Sequence, residues 1–171
     1  MKPVGVLLPF LAVTPLGGCV TLRVDDRGPA RMLYAGGRHD SAAGRSSGAF
    51  RAQYTAAPVA RGLRFTGAID GAASASLYAC VGMSLDLHIE ERWVLHPDAG
   101  FGYYHRGRGP SLGGPWHFRT GGSLSYVIDD GLRVGLAWHH ISNLGMRPRN
   151  PGQEQLMLQI EIPLGPPAKP D

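Results

Sequence analysis

The chain of 171 residues is short of cysteine, of long apolar runs and of clustered charge, and each shortage removes a class of protein. Only Cys19 and Cys80 are present, which excludes a disulfide framework. Beyond the N-terminus no uninterrupted apolar window reaches about 18 residues, so a bundle of transmembrane helices is excluded. The net charge is +4, but the basic residues are scattered and form no run, so nucleic acid is not an expected partner. No internal repeat occurs. What is abundant is glycine, 25 residues, with 14 prolines. That composition favours many short strands and turns in one domain.

The N-terminus reads as an export signal over residues 1–18, with Lys2 as its positive end and Val4 to Leu16 as an apolar stretch too short to anchor. Leu16-Gly17-Gly18-Cys19 is similar to the lipobox of bacterial lipoproteins, in which the cysteine is lipidated. Lipidation of Cys19 would leave Cys80 alone; ordinary cleavage nearby would leave a Cys19–Cys80 bridge open. Residues 19–30 read as a linker, 31–164 as the folded domain, and 165–171 as a proline-rich tail.

From about residue 31 the hydrophobic pattern has period two, the signature of strands with unlike faces. In 75–90, Leu77, Ala79, Val81, Met83, Leu85, Leu87 and Ile89 share one face. Tyr78, Cys80, Gly82, Ser84, Asp86, His88 and Glu90 share the other. The same alternation runs through 92–104, 116–128, 132–140 and 154–164, and more weakly near 31–39, 48–57 and 62–70. That makes eight strands. A soluble barrel turns its apolar face inward; a membrane barrel turns it outward and keeps polar residues within. Here the second face carries Asp86, His88, Glu90, Asp98, Arg119 and Arg133 in mid-strand. A dry core could not hold them cheaply. Trp93, Tyr103, Tyr104, Trp116 and Trp138 read as interfacial aromatics. The predicted fold is all-β: an eight-stranded antiparallel transmembrane β-barrel of the outer-membrane type. With both ends periplasmic, the longer loops near 105–115 and 141–153 face outside. A soluble lipid carrier is the competing reading of the same strands.

Chemistry concentrates around the last outer loop. A serine hydroxyl needs a base to become a nucleophile, and a histidine serves best when a carboxylate holds its tautomer. His140 and Ser142 are two apart, so in a strand they point to one face. Their parity is that of Leu132, Val134, Leu136 and Trp138. Glu154 has the parity of Leu156, Leu158 and Ile160 on the next strand. All three therefore lie on the lipid-facing wall of one hairpin, and Phe118 shares that wall. Spacing alone also allows an interfacial histidine with no catalytic role, in a non-enzymatic barrel of adhesive or envelope-structural type.

Phe118, His140-Ile-Ser142-Asn143, Gly145 and Asn150-Pro151-Gly152 leading to Glu154 resemble the PagL family of outer-membrane lipid A 3-O-deacylases. The resemblance implies Ser142 as nucleophile, His140 as general base and Glu154 as the residue that orients it. It also implies an oxyanion site at Asn150 and the Gly145 amide, with Asn143 and Phe118 shaping the pocket. The implied substrate is the 3-linked acyl ester of lipid A, the lipopolysaccharide anchor, in the outer leaflet. No metal and no organic cofactor are required. His39 with Asp40, His88 with Glu90, and His96 with Asp98 have the composition of metal ligands, but their mostly inward positions suit polar lumen networks better. Arg106 and Arg108 read as solvated loop charge. Whether two barrels form a homodimer stays open. The chain departs from the family in its lipobox-like start and in ending on a polar tail, not on an aromatic residue.

Overall fold

A computed structural model describes residues 22–24, 28–40, 44–60, 62–128 and 131–164. The export signal, Cys19 and the 165–171 tail lie outside these residues. The described residues form ten strands: β1 (Leu22–Val24), β2 (Ala30–Asp40), β3 (Arg45–Thr55), β4 (Leu63–Ala72), β5 (Leu77–Leu85), β6 (Leu87–Ile89), β7 (Trp93–His105), β8 (Trp116–Val127), β9 (Arg133–Ser142) and β10 (Gln153–Pro163).

All pairings are antiparallel, and the sheet closes through β10 onto β2 and through β7 onto β8. The barrel has eight staves, because β5 and β6 are two halves of one strand interrupted at Asp86. β1 is an addition. Three residues of the expected linker pair with β6, continuing the place beside that stave that β4 leaves at Leu63. The Arg64 guanidinium ties down the chain that follows by donating to the Gly28 carbonyl at 2.9 Å. Pro163 occupies the last position of β10, opposite Ala30, where a missing N–H costs the ladder little.

The alternation sorts the residues as a bilayer requires. Val81, Leu158, Phe50, Phe65 and Ile69 are among the many large apolar side chains left exposed on the outside. So continuous an apolar surface is covered by lipid, not water. Inside, Arg51, Arg119 and Arg133 are almost wholly buried and paired. Arg119 donates to Asp98 at 3.1 Å and to Gln53 at 3.0 Å. Arg51 binds Asp70 at 2.5 Å, and Arg133 binds Asp86 at 2.8 Å. His139 donates through Nε2 to Asp98 at 2.7 Å and accepts from Arg51 on Nδ1 at 3.0 Å. Buried charges persist because each meets an opposite charge; removing one partner would strand the other.

Three expectations need correction. Glu90 lies in the turn between β6 and β7, with a positive φ of 60°, and is exposed there. Asp86 ends the regular strand before that point, so the alternation does not carry to residue 90. Tyr104 faces inward, 4% exposed, and its hydroxyl donates to the Pro110 carbonyl at 3.2 Å. It is one residue out of phase with Tyr103, so only Tyr103 joins the outer aromatics. His39 faces outward and is exposed, because it shares parity with Leu33 and Ala35 and not with buried Arg38.

One mouth of the barrel is closed by its own loops. Leu112, from the loop between β7 and β8, is 2% exposed and packs with Tyr78, Cys80, Tyr104 and Ile141 inside the wall. Cys80 is a free, buried thiol in this cluster.

Candidate active site

Strand register builds the site on the outer wall beside that closed mouth. Ser142 is paired with Phe118, and His140 with Thr120 on one side and Glu154 on the other. Glu154 is paired in turn with His39 of β2. Thr120, His140, Glu154 and His39 thus form one row across four strands, and Phe118 and Ser142 lie in the row nearer the rim. Directly opposed side chains in such a ladder have Cβ atoms roughly 5 Å apart, within hydrogen-bonding reach for long polar groups.

The dyad is formed. His140 Nδ1 donates to Glu154 Oε1 at 2.6 Å, and both side chains are about one-third exposed, at 35% and 34%. With Nδ1 so engaged, Nε2 carries the lone pair and is left for another partner. Ser142 is 5% exposed and Asn143 is fully buried. Gly152 lies against the imidazole. Its φ is +71°, and a Cβ added there would stand 3.0 Å from His140 Cε1. Any side chain at 152 would therefore be strained and would push the ring.

Asn143 organises the loop after β9. Its backbone amide donates to Asn150 Oδ1 at 2.9 Å. Its side-chain nitrogen donates to the carbonyls of Arg149, at 2.8 Å, and Leu112, at 3.2 Å. Its side-chain oxygen accepts the Gly145 amide at 3.0 Å. One buried side chain thus joins the two rim loops, beside Ser142. The chain passes so closely at Gly113 that a Cβ there would sit 1.8 Å from the Arg149 carbonyl oxygen.

Every residue singled out from the sequence in this region falls at this hairpin or directly across from it. His140 and Glu154 touch, Phe118 stands opposite Ser142, and Asn150 reaches the amide that follows Ser142. The Gly145 amide, expected as an oxyanion donor, is already spent on Asn143 Oδ1. Phe118 is not isolated. Its ring is 4.8 Å from that of Phe101, which stacks on Trp116 at 5.5 Å. Sequence reasoning missed this ridge because Phe101 belongs to β7, two strands from Ser142. It also missed the contact of Gly152 with the ring, although Gly152 stands in the quoted motif.

Among the described residues no group of three or more His, Cys, Asp or Glu side chains could hold a metal ion. His96 instead meets Asp86 inside the barrel.

An eight-stranded barrel with an apolar outer wall and a polar, ion-paired lumen, bearing a histidine–carboxylate dyad on the lipid side, defines an outer-membrane β-barrel enzyme. The family model for lipid A 3-O-deacylase (PagL) matches residues 39–163, and the chain belongs to that family. The fold is similar to that in a crystal structure of the outer membrane enzyme PagL, with a TM-score of 0.60 and 16% identity. That match covers 80% of this chain and all of the other. No curated protein sequence matches it. Family membership makes the chain an ester hydrolase of the lipid A 3-O-deacylase type, in place of a purely structural barrel.

Proposed function

We propose that the chain removes the ester-linked 3-O-acyl group of lipid A by a Ser-His-Glu mechanism, with its site at the outer leaflet. The observation that carries this reading is the 2.6 Å bond from His140 Nδ1 to Glu154. It leaves Nε2 as the base, on the same strand and face as Ser142, two residues away.

In this reading Nε2 takes the Ser142 hydroxyl proton as Oγ attacks the ester carbonyl. Glu154 stabilises the imidazolium that forms. The tetrahedral oxyanion is met by Asn150, whose Oδ1 is held by the Asn143 amide and whose Nδ2 is therefore the atom offered to a ligand. Gly145 becomes a second donor only when its amide leaves Asn143 Oδ1. Collapse of the intermediate expels the 3-hydroxyl of the sugar, protonated by His140, and leaves an acyl-serine. Water, deprotonated by the same imidazole, then releases the fatty acid. His140 then returns the water proton to Ser142 Oγ; the original serine proton has left on the sugar hydroxyl, so one water is consumed and no cofactor enters the balance.

A site on an outer wall suits a substrate that already lies in the bilayer. The acyl chain need not leave lipid, and only the ester has to reach the rim. The longer rim loops, 106–115 and 143–152, lie on the side of the site, which favours an outward-facing mouth. The test is to incubate the purified, folded protein in detergent with lipid A and measure free 3-hydroxy fatty acid. Release by the wild type and none by Ser142→Ala supports the reading. Equal release by both would refute it.

A further inference from the structure

We propose that His39 is a positioning residue for Glu154, donating from Nε2 to the carboxylate oxygen that His140 does not use; this inference rests on the catalytic reading above. Three observations carry it. Glu154 Oε2 is buried and has no hydrogen-bond partner among the described residues, while Oε1 holds His140. A carboxylate with one orphaned oxygen away from water is short of a donor. His39 is the residue directly opposite Glu154 on β2, on the same outer face.

The third observation concerns the proton. His39 Nδ1 lies 3.1 Å from the hydroxyl of Ser46, its own cross-strand partner on β3. When that hydroxyl donates to Nδ1, the ring proton resides on Nε2, which makes Nε2–H the donor. The row then reads Ser46, His39, Glu154, His140, with every hydrogen bond running toward the carboxylate. Two donors on Glu154 fix the plane of the carboxylate. A fixed plane fixes the imidazole of His140, which is bonded to the carboxylate at 2.6 Å. Because His39 touches neither Ser142 nor an ester held there, it acts only through Glu154.

The experiment is a double-mutant cycle on deacylation of lipid A in detergent, using the full chain. His39 is exposed, so its replacement leaves the barrel folded, which heat-modified migration on gels verifies. His39→Ala should lower kcat about tenfold with KM unchanged, the size of one lost charge-assisted hydrogen bond. In a Glu154→Ala background the same change should have no further effect. His39→Gln, whose side-chain nitrogen can occupy the position of Nε2, should restore most of the lost rate. Three results would each overturn the proposal: wild-type kcat in His39→Ala, an undiminished effect in the Glu154→Ala background, or a glutamine no better than alanine. If Ser142→Ala stays active, the catalytic reading itself fails. If Ser142→Ala is dead while His39→Ala matches wild type, only the role of His39 fails.

Discussion

His139 and His140 are consecutive residues of one strand, each bound to a carboxylate, and they face opposite sides of the barrel wall. His139 is fully buried, with Asp98 on Nε2 and Arg51 on Nδ1. Both of its nitrogens are spent, and arginines surround it. His140 is one-third exposed, with Glu154 on Nδ1. Its other nitrogen is available. In the catalytic reading proposed above, the same side-chain pair is structural on one face and chemical on the other. What separates them is the number of fixed partners. The inner dyad contributes to a network that makes a charged lumen tolerable. The outer dyad sits on the lipid-facing wall, with Ser142 two residues away on the same strand.

That contrast can be broken experimentally, beginning with the largest effect. Ser142→Ala and His140→Ala should each lower deacylation by at least about a thousandfold, with unchanged heat-modified migration of the folded barrel. Glu154→Ala should lose less than Ser142→Ala, by a factor of about 100. An equal, total loss in a folded Glu154→Ala barrel would mean that the acid does more than orient. On the inner side, Asp98→Ala removes the nearer carboxylate of Arg119, leaving Asp70 at 3.6 Å, and deprives His139 of its acceptor. It should cost roughly 3–5 kcal/mol of stability, read as a lower urea midpoint in detergent, while the barrel that remains folded stays active. Asn150→Ala should reduce kcat about 100- to 1000-fold at nearly constant KM, the mark of a donor used in the transition state. The smallest effect is expected from Gly152→Ala. A displacement of the His140 ring by a few tenths of an ångström should lower kcat about three- to tenfold without altering the fold.

The sequence made the fold legible because a bilayer enforces strict alternation: an apolar residue at every second position is simply the lipid face. The staves of β5, β7, β8, β9 and β10 follow from that rule. Where the chain left the ladder, the rule misled. Glu90 entered a turn after Asp86 broke the strand; Tyr104, by contrast, kept to the ladder opposite Tyr78, and grouping it with the outer aromatics overlooked its parity. The hairpin carrying His140 and Glu154 was legible because each of its strands alternates clearly enough on its own to put these residues on the lipid face, whatever the loop between them does. The lumen pairs were not. Arg51 reaching His139 and Gln155 depends on which staves face each other across the closed barrel, and no local pattern encodes that. Asn143 was visible only as part of a motif. Its function as the clamp between the two rim loops needs Leu112 and Arg149, which come from two different loops. His39 was read only within a group lying mostly on inner faces, and its place opposite Glu154 arises only from the closure of β10 on β2.

The measurement that bears most directly on the contrast is the mass spectrum of lipid A from cells producing His139→Gln or His140→Gln protein, each shown to be inserted and folded. The account predicts that lipid A loses one 3-hydroxyacyl group with the wild type and with His139→Gln, and stays intact with His140→Gln. Intact lipid A with His139→Gln and deacylated lipid A with His140→Gln would place the chemistry in the lumen and contradict it.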